Sequence, residues 1–394
     1  MQAREFRDGA EDGLDALEPL DPDRIGSFTD LIRAMRKTAF GGRRVGEAFD
    51  VLCAMIDDPD CMVVMTLSGA MTIAKMGTII SRMIDEGMVQ VVISTGALVA
   101  HGLSESTGKQ HYRHDPTMSD VELFRKGYNR VYDTLEMEAN LNYVEHVVTQ
   151  TLKRLDHGTP LSSERLTHEL GKTLHEEFEG TGILKSAYEQ AVPVYIPAFT
   201  DSEMGLDVGI WAMRESLDKA RAEAAKRDGD LGVLKALHRY LPSYNPYLDL
   251  NSYTDKIMSA KRLGIFTIGG GVPRNWAQQV GPYIEIGNLR LGLDAKPPRF
   301  QYGVRICPEP DYWGGLSGCT YQEGISWGKF VPPTDGGRFA EVLSDATVVW
   351  PLLMMGLLEH RRARRRKPSA GSVRSMRSVR PPRAKRRAAA DRHR

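Results

Sequence analysis

The segment Glu323-Gly324-Ile325-Ser326-Trp327-Gly328-Lys329 brings a carboxylate, an indole and an amine into one short stretch punctuated by glycine. A lysine attacks a carbonyl or imine carbon only when its amine is neutral, and desolvation beside an aromatic ring favours that form. A nearby carboxylate opposes the shift, yet it can anchor the ammonium group of a polyamine. The chemistry open to this segment is therefore imine formation on Lys329. The plain alternative is a solvated surface charge, which is what most lysines are.

A second concentration of reactive types is His101, His111 and His114 with Asp115. No HExxH or comparable ligand spacing accompanies them, so no metal is expected, and a substrate- or cofactor-orienting role stands beside ordinary loop hydrogen bonding. The passage at residues 67–74 runs from an apolar strand through Ser68-Gly69 into a helix, a turn that exposes backbone N–H groups to an anion such as a pyrophosphate. It contains no GxGxxG, and any α/β protein has similar turns. The run Gly269-Gly270-Gly271 calls for positive φ, for close approach of a ligand to the backbone, or simply for a tight strand-to-helix connection. The string GLSESTGK at residues 102–109 is not a phosphate loop. It has five residues between its glycines rather than four, and Gln110 follows the lysine where a Ser or Thr is required.

The elements that must position these groups read as strands alternating with helices. Residues 28–55 have helical spacing broken at Gly41-Gly42, which gives two helices; residues 62–67 and 89–94 read as buried strands with a helix to about residue 86 between them. Further strands are expected at 192–199, 262–268, 303–307 and 341–343, and helices at 119–155, 163–177 and 209–226. The expected fold class is α/β: a Rossmann-like, mostly parallel sheet covered by helices. Ligands in such sheets bind beyond the carboxyl ends of the strands, which points to residues 68–72, 95–97, 200–201, 269–271 and 345–346.

The chain has 394 residues, 41% of them hydrophobic, enough for a sizeable core. It has no run of about 18 apolar residues, and its acidic start lacks the features of a signal peptide, so no membrane partner and a cytoplasmic location are expected. The four cysteines form no CxxC pair. Residues 361–394 hold fifteen Lys or Arg against one Asp, a local charge of +14 that leaves −13 for the rest of a chain with total charge +1. The expected organisation is a flexible acidic N-terminus at 1–24, one catalytic domain at 25–360 and a disordered basic tail at 361–394, for which weak nucleic-acid contact stays open.

Taken in order, FGGRRVGEA, VVISTG, PAFTD, IGGGV, EGISWGK and SDATVVWPLL resemble the deoxyhypusine synthase family, over about residues 28–358. The resemblance implies NAD as a retained redox partner, a polyamine substrate, and a homotetramer with active sites at subunit interfaces. It implies cofactor contacts at Ala70, Met71, Thr72, Ile73, Ala74, Thr95, Gly96, Ala97, Asp201, Gly270, Asp345 and Ala346. Lys329 becomes the imine-forming nucleophile, with Glu323, Trp327, Asp207, Asn275 and Gly314 lining the substrate. Departures gather on the substrate side: the family's paired acids fall on Ala100 and His101, its catalytic histidine on Asn275, the acid of its GSD stretch on Leu316, and a further acid is displaced by one onto Asp207. His101 or His111 is the replacement base this leaves. The function implied is NAD-dependent transfer of an aminobutyl group from spermidine or a related polyamine to an acceptor, either a small diamine, as in homospermidine formation, or a protein lysine. An NAD-linked amine oxidoreductase without transfer and a non-catalytic NAD-binding protein are the alternatives.

Overall fold

The structure, a computed structural model, describes residues 4–156, 158–224 and 229–366. In chain order its elements are α1 (Phe28–Arg36), α2 (Phe40–Asp57), β1 (Cys61–Leu67), α3 (Gly77–Asp85), β2 (Val91–Ser94), α4 (Gly96–Ser106), β3 (Tyr112–Arg113), α5 (Asp120–Arg125), β4 (Tyr128–Val131), β5 (Thr134–Met137), α6 (Glu138–Arg154), α7 (Ser163–Glu177) and α8 (Ile183–Glu189). There follow β6 (Val194–Tyr195), α9 (Glu203–Arg214), α10 (Leu217–Glu223), α11 (Gly229–Leu237), α12 (Pro246–Met258), β7 (Arg262–Ile268), α13 (Gly271–Gln278), α14 (Val280–Leu291), β8 (Tyr302–Ile306), α15 (Tyr321–Ser326), β9 (Arg338–Val342) and α16 (Ala346–Arg366).

Six strands form one parallel sheet in the order β6-β2-β1-β7-β8-β9. Both faces are covered, and alternate residues feed two cores. Met65, Val92 and Phe266 face the layer holding Phe49, Leu52, Trp350 and Leu353. Val64, Ile93 and Ile265 face the layer holding Tyr253, Ile257, Phe300 and Phe330. From β1 the chain steps outward to β2 and β6, then returns to lay β7 on the other side of β1, so the strand order reverses between β1 and β7. That reversal opens the crevice in which sheets of this kind hold ligands.

Several local expectations are corrected. The helix expected at 119–155 is interrupted by the hairpin of β4 and β5, turned at Tyr132-Asp133, with Tyr132 in the left-handed region at φ 53°; β3 joins it as a three-stranded antiparallel sheet. Apolar residues at helical spacing conceal a four-residue strand when the flanking segments are genuinely helical. The break between α1 and α2 lies at residues 37–39, and Gly41-Gly42 sit in the first turn of α2, where backbone N–H groups need no intrahelical partner. The strand expected at 192–199 shortens to Val194–Tyr195, and the helix expected at 209–226 starts earlier and is split into α9 and α10. Residues 102–106 of the rejected phosphate-loop string are helical in α4, where Gly102 packs against the Thr72 side chain.

The expected tail boundary also moves. Arg361 through Arg366 continue α16; Arg361 donates to the Glu86 carbonyl, and Arg364 and Arg365 pair with Asp57 at 2.5 Å and Glu86 at 2.9 Å. The rest of the basic tail, and the nucleic-acid contact attached to it, lie outside the described residues. Among the described residues no helix is long and apolar enough to cross a membrane.

Candidate functional site

The short helix α15 is capped by Thr320, whose hydroxyl accepts from the Glu323 backbone N–H at 3.1 Å. It ends at Trp327, and Gly328, at φ 69°, supplies the left-handed residue that reverses the chain. The Lys329 N–H then bonds back to the Gly324 carbonyl at 3.1 Å, while Phe330 joins the core beneath. This sharp reversal delivers Lys329, which is 8% exposed, to a cavity of about 340 Å³. Its lining includes Arg274, Asn275, Gly314, Leu316, Glu323 and Trp327.

Lys329 Nζ donates to Asn275 Oδ1 at 3.2 Å and lies 5.8 Å from the centre of the Trp327 ring. Burial holds its amine below the ordinary lysine range; the Arg274 cation pushes the same way, and Cys319 and Glu323 oppose it. Arg274 is 2% exposed, donates to the Cys319 carbonyl at 2.7 Å, and stands 5.4 Å over the Tyr321 ring. The structure thus brings together Lys329, Glu323, Trp327, Asn275 and Gly314. It adds Arg274, which sequence reasoning missed; its only signal was a cation one residue before Asn275.

Asp207 and His101 do not reach this cavity within the chain. Asp207 turns toward Glu145, Glu203 and Arg214, and burial, reinforced by the two acids, pushes its carboxyl up to about 7. Its neighbour Leu206, which the family pattern fills with an acid, is exposed. A displacement of one residue in α9 swings a side chain by about 100° and so sends the carboxylate to another face.

The expected cofactor residues gather at the carboxyl ends of the strands. Ala70, Met71, Thr72, Ile73 and Ala74 follow β1; Thr95, Gly96 and Ala97 join β2 to α4; Gly270 follows β7; and Asp345 and Ala346 join β9 to α16. At the reversal between β1 and β7, the Gly270 N–H donates to Ser68 Oγ at 2.7 Å, and Gly269 and Gly271 have φ of 77° and 60°. Gly96 lies so close to Ser202 that a Cβ would overlap it, which holds the start of α4 against the loop bearing Asp201.

A third group surrounds His101. Its Nδ1 lies 3.1 Å from Glu136 Oε2, and His111 Nε2 lies 2.5 Å from the same oxygen. Glu136 Oε1 accepts from Asn140 Nδ2 at 2.8 Å and from the Met137 N–H at 3.1 Å. Burial pushes the Glu136 carboxyl up, but the hydrogen bonds from His101, His111 and Asn140 outweigh it and hold the pKa at about 2. His114 instead faces the Met118 carbonyl, and Asp115 bonds Thr117. Glu136 escaped sequence reasoning because its strand was read as helix.

A separate cavity of about 780 Å³ lies at the β8–β9 side near α2, where Arg36, Arg44, Arg338, Glu47 and Asp50 supply charges of both signs. Its lining includes neither Lys329 nor the residues following β1 and β2.

Comparison with known proteins follows the same lines. A family model described as deoxyhypusine synthase matches residues 30–226 and 223–357. The chain is 29% identical over 328 residues to "Probable deoxyhypusine synthase 2" of Archaeoglobus fulgidus, covering 83% of this chain and 97% of that one. It is 31% identical over 334 residues to the protein of the same name from Methanosarcina acetivorans, with 84% and 87% covered. It is 28% identical over 333 residues to "Deoxyhypusine synthase-like protein" of Caulobacter vibrioides, with 82% and 81% covered. A crystal structure assigned as a deoxyhypusine synthase from Entamoeba histolytica shares the fold, with a TM-score of 0.51 at 13% identity over 86% of this chain and 96% of that one.

Proposed function

The chain belongs to the deoxyhypusine synthase family, and from that premise we propose that it transfers an aminobutyl group from spermidine or a related polyamine to an acceptor amine through an imine on Lys329. The observation that carries this reading is the buried Lys329 amine, kept below its ordinary pKa and aimed into a cavity with Glu323 and Trp327. The neutral Nζ attacks the imine carbon of the aminobutylidene donor, the bond to the departing diamine breaks, and the aminobutylidene group remains on Lys329 until the acceptor amine displaces it. Glu323 offers a carboxylate to the distal ammonium group, and Trp327 offers a ring face to the four-carbon chain. Asn275 holds the nucleophile by a neutral amide oxygen.

NAD is the cofactor in this reading, and the residues fit it. Among the described residues no side chain caps α4 or α13, which leaves their first backbone N–H groups available to a pyrophosphate at the strand-order reversal. When bound, it supplies hydride acceptance and return. Thr95, Gly96 and Ala97 with Asp201 hold one side of that crevice, Ala70, Met71, Thr72, Ile73 and Ala74 with Gly270 the middle, and Asp345 and Ala346 the far side. His101 serves as the base that Asn275 does not provide.

The assembly proposed is a homotetramer with active sites between subunits. Trp327, at 62% exposure, and Leu316, at 55%, stand open at the rim of the Lys329 cavity, while His101 and Asp207 lie apart from it; a second copy closes the rim and adds the missing side. The acceptor in this reading is a small diamine or a protein lysine. Asn275 and Leu316 favour the diamine, since the altered cavity suits a changed free amine.

The test is mass spectrometry of protein incubated with NAD and spermidine and then reduced with borohydride. An aminobutyl adduct on Lys329, missing in Lys329→Ala, is expected. NAD bound without any adduct, across a panel of polyamines, sinks the transfer reading and favours amine oxidation without transfer.

A further inference from the structure

The group around His101 has a chain of donors and acceptors that can be followed atom by atom. Lys75 Nζ lies 2.7 Å from His111 Nδ1 and 2.6 Å from Glu105 Oε1. An ammonium group only donates, so His111 Nδ1 accepts and the ring hydrogen of His111 sits on Nε2. That hydrogen is donated to Glu136 Oε2. An ionised carboxylate only accepts, so the second ring nitrogen on the same oxygen, His101 Nδ1, must also carry hydrogen. Neutral His101 then has a bare Nε2.

The same contacts count against a metal, although one ligand atom each from His101, His111 and Glu136 lie within 4.8 Å of one another. Coordination by His111 Nε2 would put hydrogen on Nδ1, directly against the Lys75 ammonium. The 2.5 Å between His111 and Glu136 is a charge-assisted hydrogen bond and too short for two donors at about 2.1 Å from one zinc at tetrahedral angles.

Burial is graded along this chain. The side chains of Glu136 and His111 have no exposure, while that of His101 keeps 20%. His101 is four residues after Ala97 in α4, so both lie on one helical face, one turn from the start of the helix. Lys75 closes the loop that holds Ala70, Met71, Thr72, Ile73 and Ala74, and it sits in the left-handed region at φ 65°, a conformation that costs free energy for a side chain of this size.

We infer that Glu136 is a positioning residue: its buried carboxylate, held by Asn140 and His111, fixes His101 as the Nδ1–H tautomer and presents a bare Nε2 as proton acceptor on the cofactor side of α4. The role given to that acceptor rests on the transfer chemistry proposed above; the orientation does not. The logic is that of a buried carboxylate directing an imidazole in hydrolytic triads, here on a different fold and toward an amine. Glu136 arrives from β5, so a three-stranded sheet outside the main fold supplies the orienting charge.

The deciding experiment is magic-angle-spinning NMR of the full-length protein labelled with ¹⁵N only in histidine rings, with His101 and His111 assigned through His101→Gln and His111→Gln. Expected are hydrogen on His101 Nδ1 and on His111 Nε2 in the wild type, and mixed tautomers for His101 in Glu136→Gln. Lys75→Met, a change at a half-exposed residue, should release the His111 tautomer and covers the case in which Glu136→Gln does not fold. His101 with hydrogen on Nε2, tautomers unaltered in a folded variant, or a stoichiometric zinc ion bound by wild type in a zinc titration each overturns the inference. In stopped-flow assays of amine-dependent NADH formation, Glu136→Gln should lower kcat by about 10²-fold or more with NAD affinity unchanged, and Glu136→Asp should recover part of it. A kcat within threefold of wild type overturns the positioning role while leaving the Lys329 adduct, and with it the proposed function, intact. Absence of that adduct removes the transfer reading, and the ring spectra still decide the orientation.

Discussion

Lys329 Nζ and Asn275 Oδ1 meet at 3.2 Å, so among the described residues the side-chain hydrogen bond of the proposed nucleophile goes to a neutral acceptor. A carboxylate at that position would stabilise the ammonium form and work against attack; an amide oxygen directs the amine with far less effect on its charge. The pair accounts for how a lysine can be held in place and still remain easy to deprotonate.

Restoring the family pattern around this pair is the first prediction. Asn275→His with Leu316→Asp should raise spermidine-dependent NADH formation by roughly tenfold, because a base and an ammonium partner return to the cavity wall. Turnover unchanged with spermidine, measured alongside longer and shorter polyamines, counts against the assignment of these two positions.

Arg274 gives a pH test. Burial is the larger cause of the lowered Lys329 pKa, but the Arg274 cation adds to it. In Arg274→Met the amine becomes harder to deprotonate, so the pH profile of adduct formation should move to higher pH, while Arg274→Lys holds it near wild type. The profile is read from borohydride-trapped adduct at fixed time; a shift to lower pH contradicts the argument.

Asp207 offers a stability test with a definite sign. Its folded pKa is about 7 against an ordinary 3.8, so the folded chain binds a proton that the unfolded chain has released between those values. Stability therefore falls as pH rises from about 4 to 7, and the cost is fully present above that window. Asp207→Asn removes it and should stabilise at pH 8 by roughly 1–2 kcal/mol, well under the formal value for a shift of this size because solvent reaches the group. At pH 4 the gain should vanish. Denaturant melts at the two pH values provide the comparison, and an equal gain at both would place the effect elsewhere.

Gly270 tests the coupling of the two loops. A Cβ there would overlap the backbone of Ser317, so Gly270→Ala should displace residues 314–317 and lower both stability, by about 1–3 kcal/mol, and NAD affinity. Calorimetric titration with NAD and a thermal melt check both; an unchanged Kd removes the coupling.

Much of the sheet was legible because its strands are apolar runs ended by glycine, serine or aspartate. Residues 262–268 match β7, and 303–307 nearly match β8. Lys329, Glu323 and Trp327 were legible for another reason: seven adjacent residues fold into one short helix and turn, so nearness in sequence became nearness in space. Arg274 and Glu136 were not. Arg274 reaches the cavity of Lys329 from more than fifty residues away in the chain, and Glu136 sits in a strand whose flanking helical periodicity hid it. Asp207 fell just before the helix expected at 209–226; α9 begins at Glu203, so the carboxylate lies on a helix face set by a single residue of register.

The close seating of Gly270 against Ser317 has a bearing on how such a protein can diversify. The glycine turn cannot accept even a methyl group without moving its neighbour, whereas Asn275 and Leu316 present only side chains to the cavity. On the roles proposed above, mutational drift is channelled: the positions proposed to choose the amine can be exchanged one at a time, while the backbone proposed to hold the dinucleotide tolerates almost no trial. A lineage built on this frame can vary the wall of the Lys329 cavity while the glycine turn beside it stays fixed.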